Sequence, residues 1–535
     1  MKKYIGLSIV ALSMLFTACD DYLDKLPDNR MDNIKTADDI SSLLVSAYAN
    51  RHPAYILEMS SDNADLCDNT GWTEYDRFQR QAWQWDDVTE IGSSDCPQDL
   101  WEAYYTSVAA SNTCLTYLES LGTEERAALA AQEGEALICR AYNMFVLSTV
   151  FCNAYNKSTA STELGLPYPK ETEKTVGEMH DRGTLEQLYN NIDADLQRGL
   201  PLIKSTYTNP KFHFTADAAY AFAARFYLYY GDYDKAIEYA TRVLGSNPAS
   251  KLRDWATFGE LSANKQIAPE AYISSKEPAN LLLVVTHSSW GVVSGNYGSG
   301  CKYAHGSTIN TYETINADGP WGTSGSGKDG FNVVYFSNRS LSKFISRKVP
   351  YEFEYTDIQA RIGYSHSEMS VFNTDMLLLE RAEAYALKGD LQSAIADVNT
   401  ELSVYHKASP QVTVEGVTEY YNSIEYYRPQ DTSDDRIYYT PKKHLHPKMI
   451  SLAEGSEQES VIQTILQLRR VLTLHEGFRF QDIKRYGIVI YRRTMNSAFQ
   501  ITNVSDSMTV DDPRRAIQLP QDVITAGMTP NPRNK

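Results

Sequence analysis

The sequence predicts a mainly α fold: a tetratricopeptide-like helical bundle with long irregular loops and a few short strands. Three observations predict it. Residues 218–248 read as an Ala- and aromatic-rich helix to Tyr230, a turn at Gly231-Asp232, and a second helix opened by Tyr233-Asp234-Lys235-Ala236-Ile237 that stops before Pro248, the pattern of a tetratricopeptide pair. The scheme recurs at 375–402, where Leu377-Leu378-Leu379, Ala382 and Glu383-Ala384-Tyr385 precede Gly389-Asp390 and Ala394-Ile395. Between the pairs, residues 249–374 lose helical period, and ten of the forty residues from Gly291 to Gly330 are glycine. Such a stretch cannot build a core of its own, so helices must serve as its platform.

Composition narrows the function. The 535 residues fit three compact units or one large one. Lys plus Arg number 50 against 68 Asp plus Glu, a net charge of −18. That balance disfavours a nucleic-acid partner, which needs a basic stripe to displace counterions, and equally disfavours binding to an anionic lipid surface by charge alone. With 42% apolar and 22% charged residues the chain is a folded globular protein, not a disordered one. The 37 tyrosines, with 7 Trp and 17 Phe, exceed what packing alone favours, because each hydroxyl must be paired or kept wet. They point to surface recognition of something polar.

At the N-terminus, Lys2 and Lys3 precede an apolar run from Ile5 to Phe16, too short for a permanent membrane helix and typical of a signal peptide. Residues 1–18 are therefore expected to be removed, leaving 19–535 as one helical domain. Leu15-Phe16-Thr17-Ala18-Cys19 resembles a bacterial lipoprotein box, so Cys19 is the expected lipidation site; an ordinary secretory signal with an incidental cysteine is the alternative. The other six cysteines, Cys67, Cys96, Cys114, Cys139, Cys152 and Cys301, show no C-x-x-C pair and no zinc spacing. Cys114, Cys139 and Cys152 lie in apolar helical patterns, whereas Cys67 and Cys96 sit in loop-like sequence of an oxidising compartment, which leaves a bridge between them open.

Residues 124–151 carry Glu133, Ala136, Leu137, Arg140, Ala141 and Phe145 in helical register and predict one long amphipathic helix. In the first pair Ala224 and Ala236 permit close approach, Tyr220 and Tyr227 fill the gap, and Gly231 permits the tight connection. A second insertion, about 403–455, carries Tyr420, Tyr421, Tyr426, Tyr427, Tyr438 and Tyr439 in pairs, which suit a short hairpin edge and a recognition surface equally. A third helix is expected over about 457–475.

Few motifs carry chemistry. Gly322 to Lys328 fits the first seven places of a phosphate-binding loop, but Asp329 stands where Ser or Thr must hold magnesium, and Phe331–Phe336 reads as a strand rather than a helix. No G-x-S-x-G and no H-E-x-x-H occurs, and His444 and His446 lie in a loop flanked by Pro and Lys. Asp62-Asn63-Ala64-Asp65 with Asp68 offers hard oxygens but lacks the glycine and distal glutamate of a calcium loop. No metal, cofactor or catalytic residue is assigned. What stands out is aromatic: Trp72, Tyr75, Trp83 and Trp85 in one polar segment, and Trp290, Tyr297 and Trp321 in the glycine-rich loops. Flat rings stack on the C–H faces of sugars while neighbouring Asn, Asp and Arg pair with hydroxyls. These seven are the candidate ligand-binding residues; ordinary packing, as expected for Trp101, is the competing reading.

Several stretches together resemble the SusD/RagB family of Bacteroidetes outer-membrane lipoproteins. They are the Cys19 start with Asp20, Asp21 and Asp24, similar to a surface-export signal; Trp101–Tyr105; Gly134–Tyr142; the repeats at 218–248 and 377–399; Leu468–Gly487 with Glu476-Gly477-Phe478-Arg479-Phe480; Asp512–Pro520; and Asn531-Pro532-Arg533. Thr473 and His475 depart from the family's usual acidic residue before the Glu-Gly step. Glu476, Arg479 and Asp482 are spaced to pair on one helical face and hold the C-terminal helix to the bundle. The resemblance implies a helical lipoprotein anchored in the outer membrane and facing the cell exterior. It also implies a lid on a SusC-like TonB-dependent transporter, with no enzyme activity and with ligand contacts on the loop side. Capture of oligosaccharides for uptake is the expectation; a peptide-binding member of the same family and a tetratricopeptide scaffold for a protein partner are the alternatives.

Overall fold

The computed structural model describes residues 36–67, 73–172, 180–205, 207–264, 266–295, 301–322, 330–338, 343–428, 439–498 and 500–533. Helices pack in antiparallel pairs. Pro97–Ser120 lies against Ala130–Phe151, which lies against Leu185–Gly199. Ala216–Tyr230 pairs with Tyr233–Leu244, and that helix packs on Thr374–Lys388, which pairs with Leu391–Tyr405 and touches Glu457–Leu472. The fold is the mainly helical, tetratricopeptide-like one the pattern predicted.

Both repeats turn by the same device. Gly231 (φ 87°) and Gly389 (φ 85°) end the first helix of each pair in the left-handed region, where a side chain is strained. The aspartate that follows, Asp232 or Asp390, then caps the second helix by accepting from the backbone N–H of Lys235 or Ser393. Inside the first pair Ala224 and Ala236 are buried, and Tyr239 stacks against both Tyr220 and Tyr227, with ring centroids 5.7 Å apart in each case.

The stretch expected as one helix over 124–151 is two, Thr123–Ala128 and Ala130–Phe151. The break at Leu129 is bridged by Arg126, whose guanidinium donates to both oxygens of Glu133 at 2.7 and 3.0 Å. The third expected helix ends at Leu472. His475 (φ 71°) and Gly477 (φ 82°) then reverse the chain into the helix Phe478–Arg485, and a side chain at 477 would strike the backbone of Ala54.

Among the described residues, the segment without helical period contains six strands besides short helices. In chain order the strands are β1 (Asp65–Cys67), β2 (Asn280–His287), β3 (Tyr303–Ala304), β4 (Tyr335–Asn338), β5 (Lys343–Ser346), β6 (Glu352–Asp357), β7 (Ile362–Asn373), β8 (Ile490–Met495) and β9 (Ile501–Met508). They form three sheets, ordered β3-β1-β8-β9, β2-β7-β6 and β4-β5. The second insertion forms a helix, Val414–Ser423, so Tyr420 and Tyr421 are helical rather than a hairpin edge. Tyr421 is buried and donates to Gln467 Oε1 at 2.7 Å, and Tyr426 donates to Glu459. Tyr438 lies outside the described residues.

Ion pairs buried between elements hold the bundle. Glu383, fully buried, accepts from Arg469 at 2.5 Å, Arg485 at 2.6 Å and Tyr486 at 2.5 Å. Glu476, Arg479 and Asp482 do not pair with one another as expected from their spacing. Each reaches a different element: Lys348 donates to Glu476 at 2.9 Å, Arg479 donates to both oxygens of Asp62 at 2.7 and 2.8 Å, and Arg469 donates to both oxygens of Asp482 at 2.6 and 3.0 Å. A guanidinium fork matched to a carboxylate satisfies both groups at once, and this offsets the cost of taking the charges out of water.

Candidate ligand-binding face

Four of the candidate tryptophans turn inward. The helix Arg77–Gln84, capped by Asp76, places Trp83 at 2% exposure, where its indole N–H donates to Ala64 O at 2.9 Å. Trp85 ends that helix at φ 59° and donates to Ser60 O at 2.8 Å. The Arg492 guanidinium lies 5.0 Å from the Trp83 ring and 3.8 Å from the Trp85 ring, and it donates to the carbonyls of Met59, Ser60 and Ser61. Trp290, also 2% exposed, stacks on Tyr55 with centroids 4.9 Å apart and donates to His475 O at 2.7 Å. Trp321 is buried edge-on against Phe331.

The expectation that these four indoles project into the medium is therefore corrected. Three of the N–H groups found a carbonyl, and with that cost removed an indole gains more from packing than from exposure. Tyr75 is 43% exposed. Trp72 and Tyr297, like Cys19, lie outside the described residues; their described neighbours Thr73 and Cys301 are bridged, with Lys302 N donating to Thr73 O at 2.8 Å.

Two other sequence readings are resolved here. Cys67 and Cys96 are free and buried, as are Cys114, Cys139, Cys152 and Cys301, so no bridge links the loop pair. The carboxylates of the Asp62–Asp65 segment face cations of the protein itself: Asp62 meets Arg470 and Arg479, and Asp65 takes two bonds from Arg493, each at 2.8 Å. Among the described residues no group of three or more His, Cys, Asp or Glu side chains is arranged to hold a metal ion, and no helix is long and apolar enough to cross a membrane.

Further polar and ring-bearing groups lie on other elements. Asp95 ties the start of the helix Pro97–Ser120 to the end of β2 by accepting from Ser288 Oγ at 2.5 Å and from Ser289 N and Oγ at 2.9 and 2.8 Å. Burial pushes its carboxyl up to about 6 against the pull of those three bonds. Beside it opens a cleft of about 500 Å³ lined by Tyr48, Asn50, Arg51, Asp99, Glu102 and Thr106, in which Arg51 Nη2 lies 3.3 Å from Asp99 Oδ2. Phe353 and Tyr355, 37% and 52% exposed, meet edge to face at 4.9 Å on the hairpin of β6 and β7. Gly363 lies beneath them, where any side chain would collide with Glu354 O and the Phe353 ring. Phe353 and Tyr355 carry no helical period and so do not stand out in the sequence. The alternation Glu352-Phe353-Glu354-Tyr355 was the available signal, since period two marks a strand with two unlike faces.

Known proteins share this helical scaffold with its polar, ring-bearing loops. Residues 21–228 match a SusD-like family model described as starch-binding and associating with the outer membrane. The fold is shared with SusD superfamily proteins from Bacteroides thetaiotaomicron (TM-score 0.61, 17% identity, 93% of this chain and 100% of that one) and Bacteroides vulgatus (TM-score 0.62, 17% identity, 94% and 100%). It is also shared with a laminarin-binding SusD-like protein (TM-score 0.54, 17% identity, 93% and 100%). No curated protein matches the chain by sequence. Over residues 21–228 the chain is similar to the SusD-like family, and over more than nine-tenths of its length it shares the fold of these SusD superfamily proteins.

Proposed function

We propose that the protein is a nutrient-binding lipoprotein of the outer membrane, tethered through Cys19 at the cell exterior, which captures oligosaccharides and delivers them to a SusC-like TonB-dependent transporter. The observation that carries this reading is the match of residues 21–228 to a family described as starch-binding and associating with the outer membrane. A laminarin-binding protein and a putative sugar-binding protein from Bacteroides vulgatus share its fold and support a saccharide ligand. The function is binding without bond-making: rings supply a stacking face, and carboxylates and amides hold hydroxyls. We assign the stacking to Tyr75 together with Trp72 and Tyr297; Trp83, Trp85, Trp290 and Trp321 are packed within the fold.

Titration calorimetry of the protein against neutral oligosaccharides tests this. Tyr75→Ala is expected to weaken binding about tenfold, the value of one ring contact near 1.4 kcal/mol, without moving the melting temperature. Unchanged affinity removes Tyr75 from the site. A second reading, peptide capture, is favoured by one observation: β6 is an edge strand with an exposed backbone, a template for an added strand. Heat from peptides and none from sugars would favour it.

A further inference from the structure

We infer that the cleft at Arg51 and the solvent face of the β2-β7-β6 sheet form one recognition surface, built for saccharides that carry no acid group. This rests on the sugar-binding reading above and specifies its ligand. The two parts are joined by a backbone bond: His287 N, at the end of β2, donates at 2.9 Å to the carbonyl of Asn50, which lines the cleft. From there the strand register fixes what the sheet presents. Val285 is opposite Glu368, His287 opposite His366, His366 opposite Glu352, and Tyr364 opposite Glu354. Cross-strand partners share a face, so all seven side chains stand on one side of the sheet.

That side has a ring platform and a sign. The His287 and Tyr364 rings lie 4.0 Å apart, and Tyr364 is half-exposed beside the charged rim. Asp99 and Glu102 line the cleft with Arg51, and Glu352, Glu354 and Glu368 stand on the sheet face, so among these described residues carboxylates outnumber guanidinium groups five to one. His366 is held 2.5 Å from Glu352. His287 is kept below the ordinary imidazole range by burial and by Arg51, so it adds no positive charge at neutral pH. Carboxylates flanking a stacking ring accept the paired hydroxyls of a sugar, and Arg51 supplies donors. A uronate or sulfate would bring a like charge into the same field, which disfavours it at low ionic strength and less so when salt shortens the reach of the field.

Calorimetry with the full folded chain decides the matter, using hexamers of maltose-type, laminarin-type and cellulose-type glucans and an oligogalacturonate hexamer as probes. A neutral hexamer is expected to bind at least about tenfold more tightly than the uronate at 20 mM salt, with the gap shrinking at 500 mM. Tyr364→Ala should lower neutral-sugar affinity about tenfold while Tyr364→Phe keeps it. The double change Glu352→Gln and Glu354→Gln should raise uronate affinity relative to neutral affinity and so narrow the gap between the two at 20 mM salt; an unchanged gap would overturn the charge argument. If neutral sugars bind and Tyr75→Ala weakens them while Tyr364→Ala and Arg51→Ala do not, this surface is not the site and the sugar-binding reading stands. If the uronate binds as tightly as the neutral hexamers at low salt, the charge argument is overturned. If none of the probes binds, this proposal falls together with the reading on which it rests.

Discussion

Glu401 offers the sharpest test of the packing. It sits on the helix Leu391–Tyr405, is fully buried, and neither carboxyl oxygen has a hydrogen-bond partner. Burial, reinforced by the nearby Asp375, raises its pKa well above the ordinary 4.5. The sign follows from linkage. The folded state holds its proton where the unfolded state has released it, so stability is intact below pH 4.5 and falls as pH rises until the folded group ionises. Each pH unit between 4.5 and the raised pKa of the folded group removes about 1.4 kcal/mol. Glu401→Gln keeps the shape and removes the titration. Denaturant unfolding followed by circular dichroism at pH 5, 6, 7 and 8 should show wild-type stability declining as pH rises above 4.5 and the variant declining less, the difference in slope being at most about 1.4 kcal/mol per unit. Parallel curves for the two proteins would refute the argument.

Glu383 should act with the opposite sign. Burial alone would raise its pKa, but Arg469 and Arg485 hold it at about 2, so its contribution is present above pH 4.5 and lost as pH falls toward 2. Glu383→Gln should cost about 3 kcal/mol at pH 7 and flatten the acid limb of the unfolding curve. Arg492→Ala strips the cation from Trp83 and Trp85 and leaves three carbonyls without their donor. A loss of about 3 kcal/mol or more and a changed near-ultraviolet Trp signal are expected, and Arg492→Lys, lacking the planar fork, should not restore them. Gly389→Ala meets open space and should cost only the left-handed backbone strain, about 1 kcal/mol, whereas Gly231→Ala also strikes Met449 and should cost more in the same melt.

What was legible in the sequence was what short-range chemistry decides. A left-handed glycine followed by a capping aspartate ends one helix and starts the next within two residues, and so Gly231-Asp232 and Gly389-Asp390 announced both repeats. The indoles misled because exposure is settled by partners distant in sequence. Trp85 is covered by Arg492 and Trp290 by Tyr55, and nothing adjacent to either tryptophan forecasts that. The Asp62–Asp65 carboxylates looked like cation ligands for the same reason: their partners, Arg470, Arg479 and Arg493, lie more than 400 residues away. The hairpin rings Phe353 and Tyr355 were written in the alternation of β6, but a search tuned to helical spacing passes over a strand.

Those distant arginine forks bear on how the chain comes to be made. A polypeptide leaving the ribosome presents Asp62 and Asp65 long before their guanidinium partners have been synthesised, so the clasp between its two ends can shut only at the last moment of folding. A product shortened by some seventy residues would lack all three arginines, leaving its early acids with nothing to grip, and quality-control proteases would meet an open seam rather than a weakened native protein.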